Sequence, residues 1–170
     1  ASWVRELSPK EILEQLGRSF EMLKRDGQRQ HDSMGAVFDY SWQLLSPEQQ
    51  TLLAQLSVFR GGFTSAAAEA VAGATPYLLL SLQNRSLLSK DDAGRYGLHE
   101  LVRQYAAEKL RLVDETGAYD RHANYFADIL AVLSEQHYLG QWNNVTNKVD
   151  KENANVRQAW NWSVQQHSWA

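Results

Sequence analysis

The stretch from Leu87 to Ala106 leaves a chain of this kind few choices. Leu87-Leu88-Ser89-Lys90 and Arg95-Tyr96 are apolar or β-compatible flanks around Asp92-Ala93-Gly94. That triplet supplies a turn, with a glycine free to take positive φ, so the segment reads as a β-hairpin. From Leu98 onward the period changes. Leu98, Leu101, Val102, Tyr105 and Leu112 fall on one helical face. His99-Glu100 stands at the junction, where the strand ends and the amphipathic helix begins.

Helices precede the hairpin. Ser8-Pro9-Lys10-Glu11 is a cap, a first-position proline and a capping-box glutamate, and predicts a helix to about Arg25 with Ile12, Leu13, Leu16, Phe20 and Leu23 inward. A polar linker, Asp26 to Gln30, follows. A second helix is expected from about Asp32 to Leu45. Ser46-Pro47-Glu48-Gln49 repeats the start signal and opens a third, about Pro47 to Val58. Gly61-Gly62 stops the chain, Thr64 caps a short helix of small residues that ends at Gly73, and Thr75-Pro76 opens another, Tyr77 to about Asn84. Helices, one hairpin, then a helix is the order of a winged-helix domain.

Beyond the hairpin, Glu115-Thr116-Gly117 marks a break, and a helix is expected from near Ala118 with His122, Tyr125, Phe126, Ile129, Leu130 and Leu133 along its stripe. Gly140 breaks it. A last helix, about Val145 to Gln166, would carry Val149, Val156, Trp160 and Val164. The expectation is therefore a mainly α chain: 1–30 the tail of an upstream helical lid and linker, 31–116 a winged-helix domain with one β-hairpin, and 117–170 a helical pair at the start of a repeat region.

Composition excludes more than it assigns. There is no cysteine, which removes disulfides, thiolate metal sites and thiol catalysis together. No apolar run is long enough to span a membrane and no signal peptide precedes the first helix, so the expected location is the cytoplasm. The chain opens on Ala1-Ser2-Trp3 without an initiator methionine, and the expectation is a fragment of a longer protein. Gly61-Gly62 is followed by Phe63 and no lysine, so it is not a P-loop; no HExxH or Gly-x-Ser-x-Gly occurs. The five histidines are scattered, and Asp91-Asp92 sits in a turn where solvated carboxylates are ordinary. Neither a catalytic constellation nor a metal site emerges.

Winged helices often bind DNA, and the reading helix here would run from Thr75 to Ser86. It offers one cation, Arg85. Between Met34 and Leu110 six cations face seven anions. Phosphate contacts supply most non-specific affinity for DNA, so this balance disfavours duplex binding by this domain. His99 is the other candidate. An imidazole at a helix N-terminus is either a polar cap or a contact for an anion, since the helix dipole and its free N–H groups favour phosphate. Trp160 and Trp162, two apart on a helix, cannot face the same way, so one is expected outward, against a following helix or a protein partner.

Several segments together resemble the winged-helix region of the STAND class of signal-transduction ATPases, bacterial relatives of NB-ARC proteins. Phe38-Asp39-Tyr40-Ser41-Trp42-Gln43-Leu44-Leu45-Ser46-Pro47-Glu48-Gln49 is similar to that family's first winged-helix helices. Leu56-Ser57-Val58-Phe59-Arg60-Gly61-Gly62-Phe63 is similar to its L-S-V-F-x-G-G-F stretch, and Leu82-Gln83-Asn84-Arg85-Ser86-Leu87-Leu88 to its L-v-d-K-S-L-L. Leu98-His99-Glu100 stands where the family has its M-H-D motif. Arg121 to Phe126 and Glu152 to Ala159 resemble helices leading into tetratricopeptide-like repeats.

The resemblance implies a non-catalytic regulatory segment, often in a transcription regulator. It would couple the ADP or ATP state of an upstream nucleotide core, with Mg²⁺, to the downstream repeats. His99 would contact the nucleotide β-phosphate, with Glu100 and Arg103 as possible support. Leu98 and Glu100 replace the motif's Met and Asp, and Glu100 is a methylene longer. The chain itself, lacking a P-loop, would hold no cofactor: one His–phosphate contact is worth roughly 1.5–3 kcal/mol, short of the ~4 kcal/mol of a millimolar site. The partners implied are the core and the repeats in cis. The alternatives are a winged-helix DNA-binding domain using Arg85, or a plain helical protein-interaction module.

Overall fold

The computed structural model describes residues 38–138 and 142–166. The expected helix from Ser8 to Arg25, the start of the second helix at Asp32, and the Gly140 break lie outside the described residues. The chain divides into two units, Ala1–Leu45 and Ser46–Ala170. In the first, residues 38–43 are helical, and the peptide of Leu44 closes back on the carbonyl of Tyr40 at 3.3 Å.

The second unit opens with α1, Pro47–Leu56. Ser46 and Gln49 form the reciprocal box: the Gln49 peptide donates to Ser46 Oγ at 3.3 Å and the Ser46 peptide to Gln49 Oε1 at 2.9 Å. Two otherwise orphaned donors are satisfied where the helix starts. Leu52, Leu53 and Leu56 point inward. The helix stops two residues before the expected Val58, where the Ser57 hydroxyl turns back to donate to the carbonyl of Ala54 at 2.6 Å. Gly61 and Gly62 then take φ of +72° and +86°. A Cβ on Gly62 would lie 2.9 Å from the Tyr96 carbonyl oxygen, so both conformation and space demand glycine there.

Phe63 leaves the loop extended and exchanges two backbone hydrogen bonds with Tyr96, both 2.8 Å. α2, Ser65–Ala72, is capped by Thr64; it buries Ala67, Ala68 and Val71, while Ala66 and Ala70 face out. The small-residue helix is thus buried on one face only. α3, Pro76–Asn84, is capped by Thr75 and buries Leu79 and Leu82. Its opposite side is apolar and uncovered: Tyr77 is 77% exposed and Leu80 also lies outward.

β1 (Ser89–Lys90) and β2 (Tyr96–Gly97) pair antiparallel, with Ser89 opposite Gly97 and Lys90 opposite Tyr96. The Gly94 peptide donates to the Asp91 carbonyl at 2.9 Å, closing the turn as expected. α4, Glu100–Arg111, packs on α1. Its buried apolar positions are Val102, Ala106 and Leu110, at i, i+4 spacing, with Arg103 buried beside them. Leu112, assigned to the stripe from the sequence, is instead the C-cap and 81% exposed. α5, Glu115–Tyr138, begins at Glu115 itself, so Thr116-Gly117 forms its first turn where a break was expected. It lies against α2 and pairs with α6, Trp142–Gln166.

The core runs from Leu53, Leu56 and Phe59 through Phe63, Val71, Leu79 and Leu82 to Leu110 and Phe126, all at most 2% exposed. Truncating one of these leucines to alanine costs roughly 2–5 kcal/mol. Among the described residues the fold is mainly helical with one small antiparallel hairpin, and no helix is long and apolar enough to cross a membrane.

Candidate functional site

The chain at His99 leaves the hairpin with φ −62° and ψ 139°, extended geometry that makes it the N-cap of α4. Its Nδ1 accepts the Leu101 peptide N–H at 3.4 Å. That bond assigns the lone pair to Nδ1 and, in the neutral ring, the proton to Nε2. The ring is exposed. His99 is therefore the polar cap that was one of the two roles the sequence allowed, and the residue is exposed.

Glu100 and Arg103 are brought together but point at each other. Arg103 donates from Nε to Glu100 Oε2 at 2.8 Å and from its terminal nitrogen to Oε1 at 2.5 Å. Gln104 adds a bond to Oε1 at 2.8 Å. The guanidinium of Arg60 stands 4.0 Å away. The Arg103 hydrogen bonds, then that of Gln104, hold the Glu100 carboxyl down at about 2 against an ordinary 4.5. Glu100 thus sits between two arginines, bonded to one and 4.0 Å from the other. A cavity of about 70 Å³ at this corner is lined by Arg60, Gly61, Gly62, Leu98, Glu100 and Arg103. Arg85, the DNA candidate, sits elsewhere: it is the exposed C-cap of α3.

The sequence reading missed what stands behind the Gly61-Gly62 loop. The loop leaves the Arg60 N–H and the Gly62 carbonyl without backbone partners, and buried groups of this kind must be paired. Asn155 of α6 supplies both. Its Oδ1 accepts from the Arg60 peptide at 2.7 Å and its Nδ2 donates to the Gly62 carbonyl at 2.8 Å. Nδ2 also donates to Glu152 Oε2 at 3.0 Å. Glu152 in turn holds Arg95 of the hairpin through both guanidinium nitrogens, and Arg95 donates to Gly62 as well, at 3.2 Å. The hydrogen bond to Glu152 raises Arg95 above its ordinary pKa in spite of burial. Asn155 is completely buried.

This clamp corrects the expected stripe of α6. Asn155 and Ala159 are buried, and Glu152 and Trp162 are half-buried, as are Val149 and Val156 of the expected stripe. Trp160, assigned inward from its apolarity, is 70% exposed, and Val164 also faces out. Trp162 stacks on Tyr119 with ring centroids 4.8 Å apart and donates to Asp120 at 2.7 Å. The polar pair lies inside because the loop it meets presents bare peptide groups and an arginine. The signal in the sequence was the Glu-x-x-Asn spacing, two polar residues one turn apart on a helix.

His122 of α5 completes the corner. It is fully buried against Phe59 and Phe126, at centroid distances of 5.2 and 4.7 Å, and neither ring nitrogen has a hydrogen-bond partner. Burial pushes its pKa down from 6.5 to about 4, while Asn155 and Glu152 nearby pull the other way. Among the described residues no group of three His, Cys, Asp or Glu is placed to hold a metal ion.

No family profile matches the chain, and no solved structure does. It is similar to two mycobacterial proteins provisionally described as HTH-type transcriptional regulators, one from Mycobacterium tuberculosis and one from Mycobacterium bovis. Each is 33% identical to it over 176 aligned positions, which cover 96% of this chain. The chain spans about a fifth of the length of these relatives (20%), so they carry much that it does not.

Proposed function

We propose that the chain is a regulatory segment of a transcription regulator: a winged-helix unit clamped to the first helices of a downstream array. The observation that carries this reading is the similarity to HTH-type regulators across nearly the whole chain. The element order supports the winged-helix part. α1, the Phe63 bridge, α2, α3 and the hairpin follow one another as such a unit requires, with Phe63 adding a third strand position beside Tyr96. The clamp supports the coupling part, because α6 holds the loop that abuts the N-terminus of α4.

The finer reading keeps the resemblance to STAND ATPases. His99 presents Nε2–H to solvent at a helix N-terminus, where a phosphate oxygen from an upstream nucleotide core is a suitable acceptor. Its test uses the parent polypeptide extended through that core. Purified protein is denatured and the released nucleotide assayed, for the natural sequence and for His99→Ala. ADP that co-purifies and is shed by the substitution supports the contact; no nucleotide, or equal retention, removes it.

A second reading, favoured by the description of the relatives, has this unit bind DNA itself. α3 would be the reading helix, with Arg85 at its end. Against it stands the outward face of α3, which carries Tyr77 and Leu80 and no lysine or arginine within the helix. Titrating the chain with a mixed-sequence duplex at 50 and 200 mM salt decides. Contact with several phosphates makes affinity fall steeply with salt; an Arg85→Ala variant that binds equally well excludes α3 as the reader.

A further inference from the structure

A half-open groove of about 600 Å³ lies between the two parts joined by the clamp. One wall is α2 and the hairpin tip, through Thr64, Ala67 and Ala93; the other is α5 and α6. Its volume is that of a small-molecule site, too small for a packed helix of several turns. The α5 wall is apolar: Tyr125, Ile129, Val132 and Leu133. Val132 is half exposed.

The rim is charged, and unevenly. Arg95 and Glu152 neutralise each other within the clamp. That leaves Asp128 on α5 against Lys148 and Lys151, one turn apart on α6, and no ion pair joins either lysine to a described residue. The groove therefore combines an apolar wall with a surplus of one positive charge on the α6 side. We propose that it is a binding site for a small amphipathic anion, an apolar body ending in a carboxylate. The apolar body lies along Ile129, Val132 and Leu133, and the carboxylate meets Lys148 and Lys151, away from Asp128. Such a ligand touches α2, the hairpin tip and both long helices at once, so its binding favours the clamped arrangement. The proposal stands whether or not this unit meets DNA or a nucleotide core.

The test follows methyl resonances of the chain during titration with octanoate, octylammonium and octanol, all below micellar concentration. Saturable shifts at Ile129, Val132 and Leu133 with octanoate are expected, with weaker binding of octanol and none of octylammonium. The double variant Lys148→Ala, Lys151→Ala, whose side chains are exposed and leave the fold intact, weakens octanoate roughly three- to tenfold and leaves octanol unchanged. Val132→Glu, checked for folding by near-UV circular dichroism, abolishes octanoate binding. The proposal is overturned if octylammonium binds as tightly as octanoate, if the shifts are not saturable or map elsewhere, or if the double lysine variant binds octanoate unchanged.

Discussion

Acidification should loosen this chain through His122. The ring is fully buried, lacks hydrogen-bond partners, and has its pKa depressed from 6.5 to about 4. The native state therefore keeps it neutral, while the unfolded state takes up a proton below 6.5. Stability from this group is complete above 6.5 and is lost as pH falls toward 4. Proton linkage with those two values gives a loss of about 2 kcal/mol between pH 7.5 and pH 5, rising to about 3 kcal/mol at pH 4. Urea unfolding followed by tryptophan fluorescence at pH 7.5, 6 and 5 measures it. His122→Leu, close in volume, should remove this component of the slope and cost less than about 1 kcal/mol at pH 7.5, since it also deletes two buried unpartnered nitrogens. The other histidines cancel in the comparison. Glu100, depressed to about 2, loses its contribution only as pH falls below 4.5, in a lower window. Equal pH slopes for the natural chain and the variant between 7.5 and 5 would refute the reasoning.

Asn155→Ala should cost roughly 1–3 kcal/mol in urea unfolding, because it leaves the part-buried Arg60 peptide N–H without its acceptor and the Glu152 carboxylate without one donor; a loss below about 0.5 kcal/mol contradicts the clamp. His99→Ala should destabilise α4 by roughly 0.5–1 kcal/mol and His99→Asn should restore it, since asparagine is a good N-cap; thermal melts of the three proteins check this. Trp160→Ser should leave stability within about 0.5 kcal/mol, whereas Trp162→Phe should cost about 1 kcal/mol through the lost bond to Asp120. Iodide quenching, which reaches exposed indoles, should fall in Trp160→Ser.

Helix starts were legible in the sequence because they are local. Ser46 with Gln49, Thr64, and Thr75 before Pro76 announce themselves within four residues, and each caps where expected. The hairpin around Asp92-Ala93-Gly94 was legible for the same reason. Faces were harder. Leu112 and Trp160 are apolar and were placed inward on that ground, but which face is buried depends on what lies opposite. For α6 the opposite surface is a loop of bare peptide groups, so Asn155 goes in and Trp160 stays out. The candidate site was legible at His99 as a residue, and not as a geometry. The Glu100–Arg103 pair is an i, i+3 contact of one helix, and only the Arg60 alongside it depends on a loop 40 residues upstream.

The reach of the Asn155 clamp bears on how the chain folds as it is made. The Arg60 peptide and its acceptor are 95 residues apart. A ribosome adding about 5–20 residues per second takes about 5–20 s to cover that interval. Through that time the Gly61-Gly62 turn has emerged with its peptide groups unpaired, and the hairpin arginine waits without its carboxylate. The N-terminal helices and hairpin can assemble early from short-range contacts, but the loop beneath His99 closes only after α6 arrives. Such late closure leaves an interval in which a nascent chain is open to chaperones or to pairing with a neighbouring copy, and it makes the arrival of Glu152 and Asn155 the step that completes the loop.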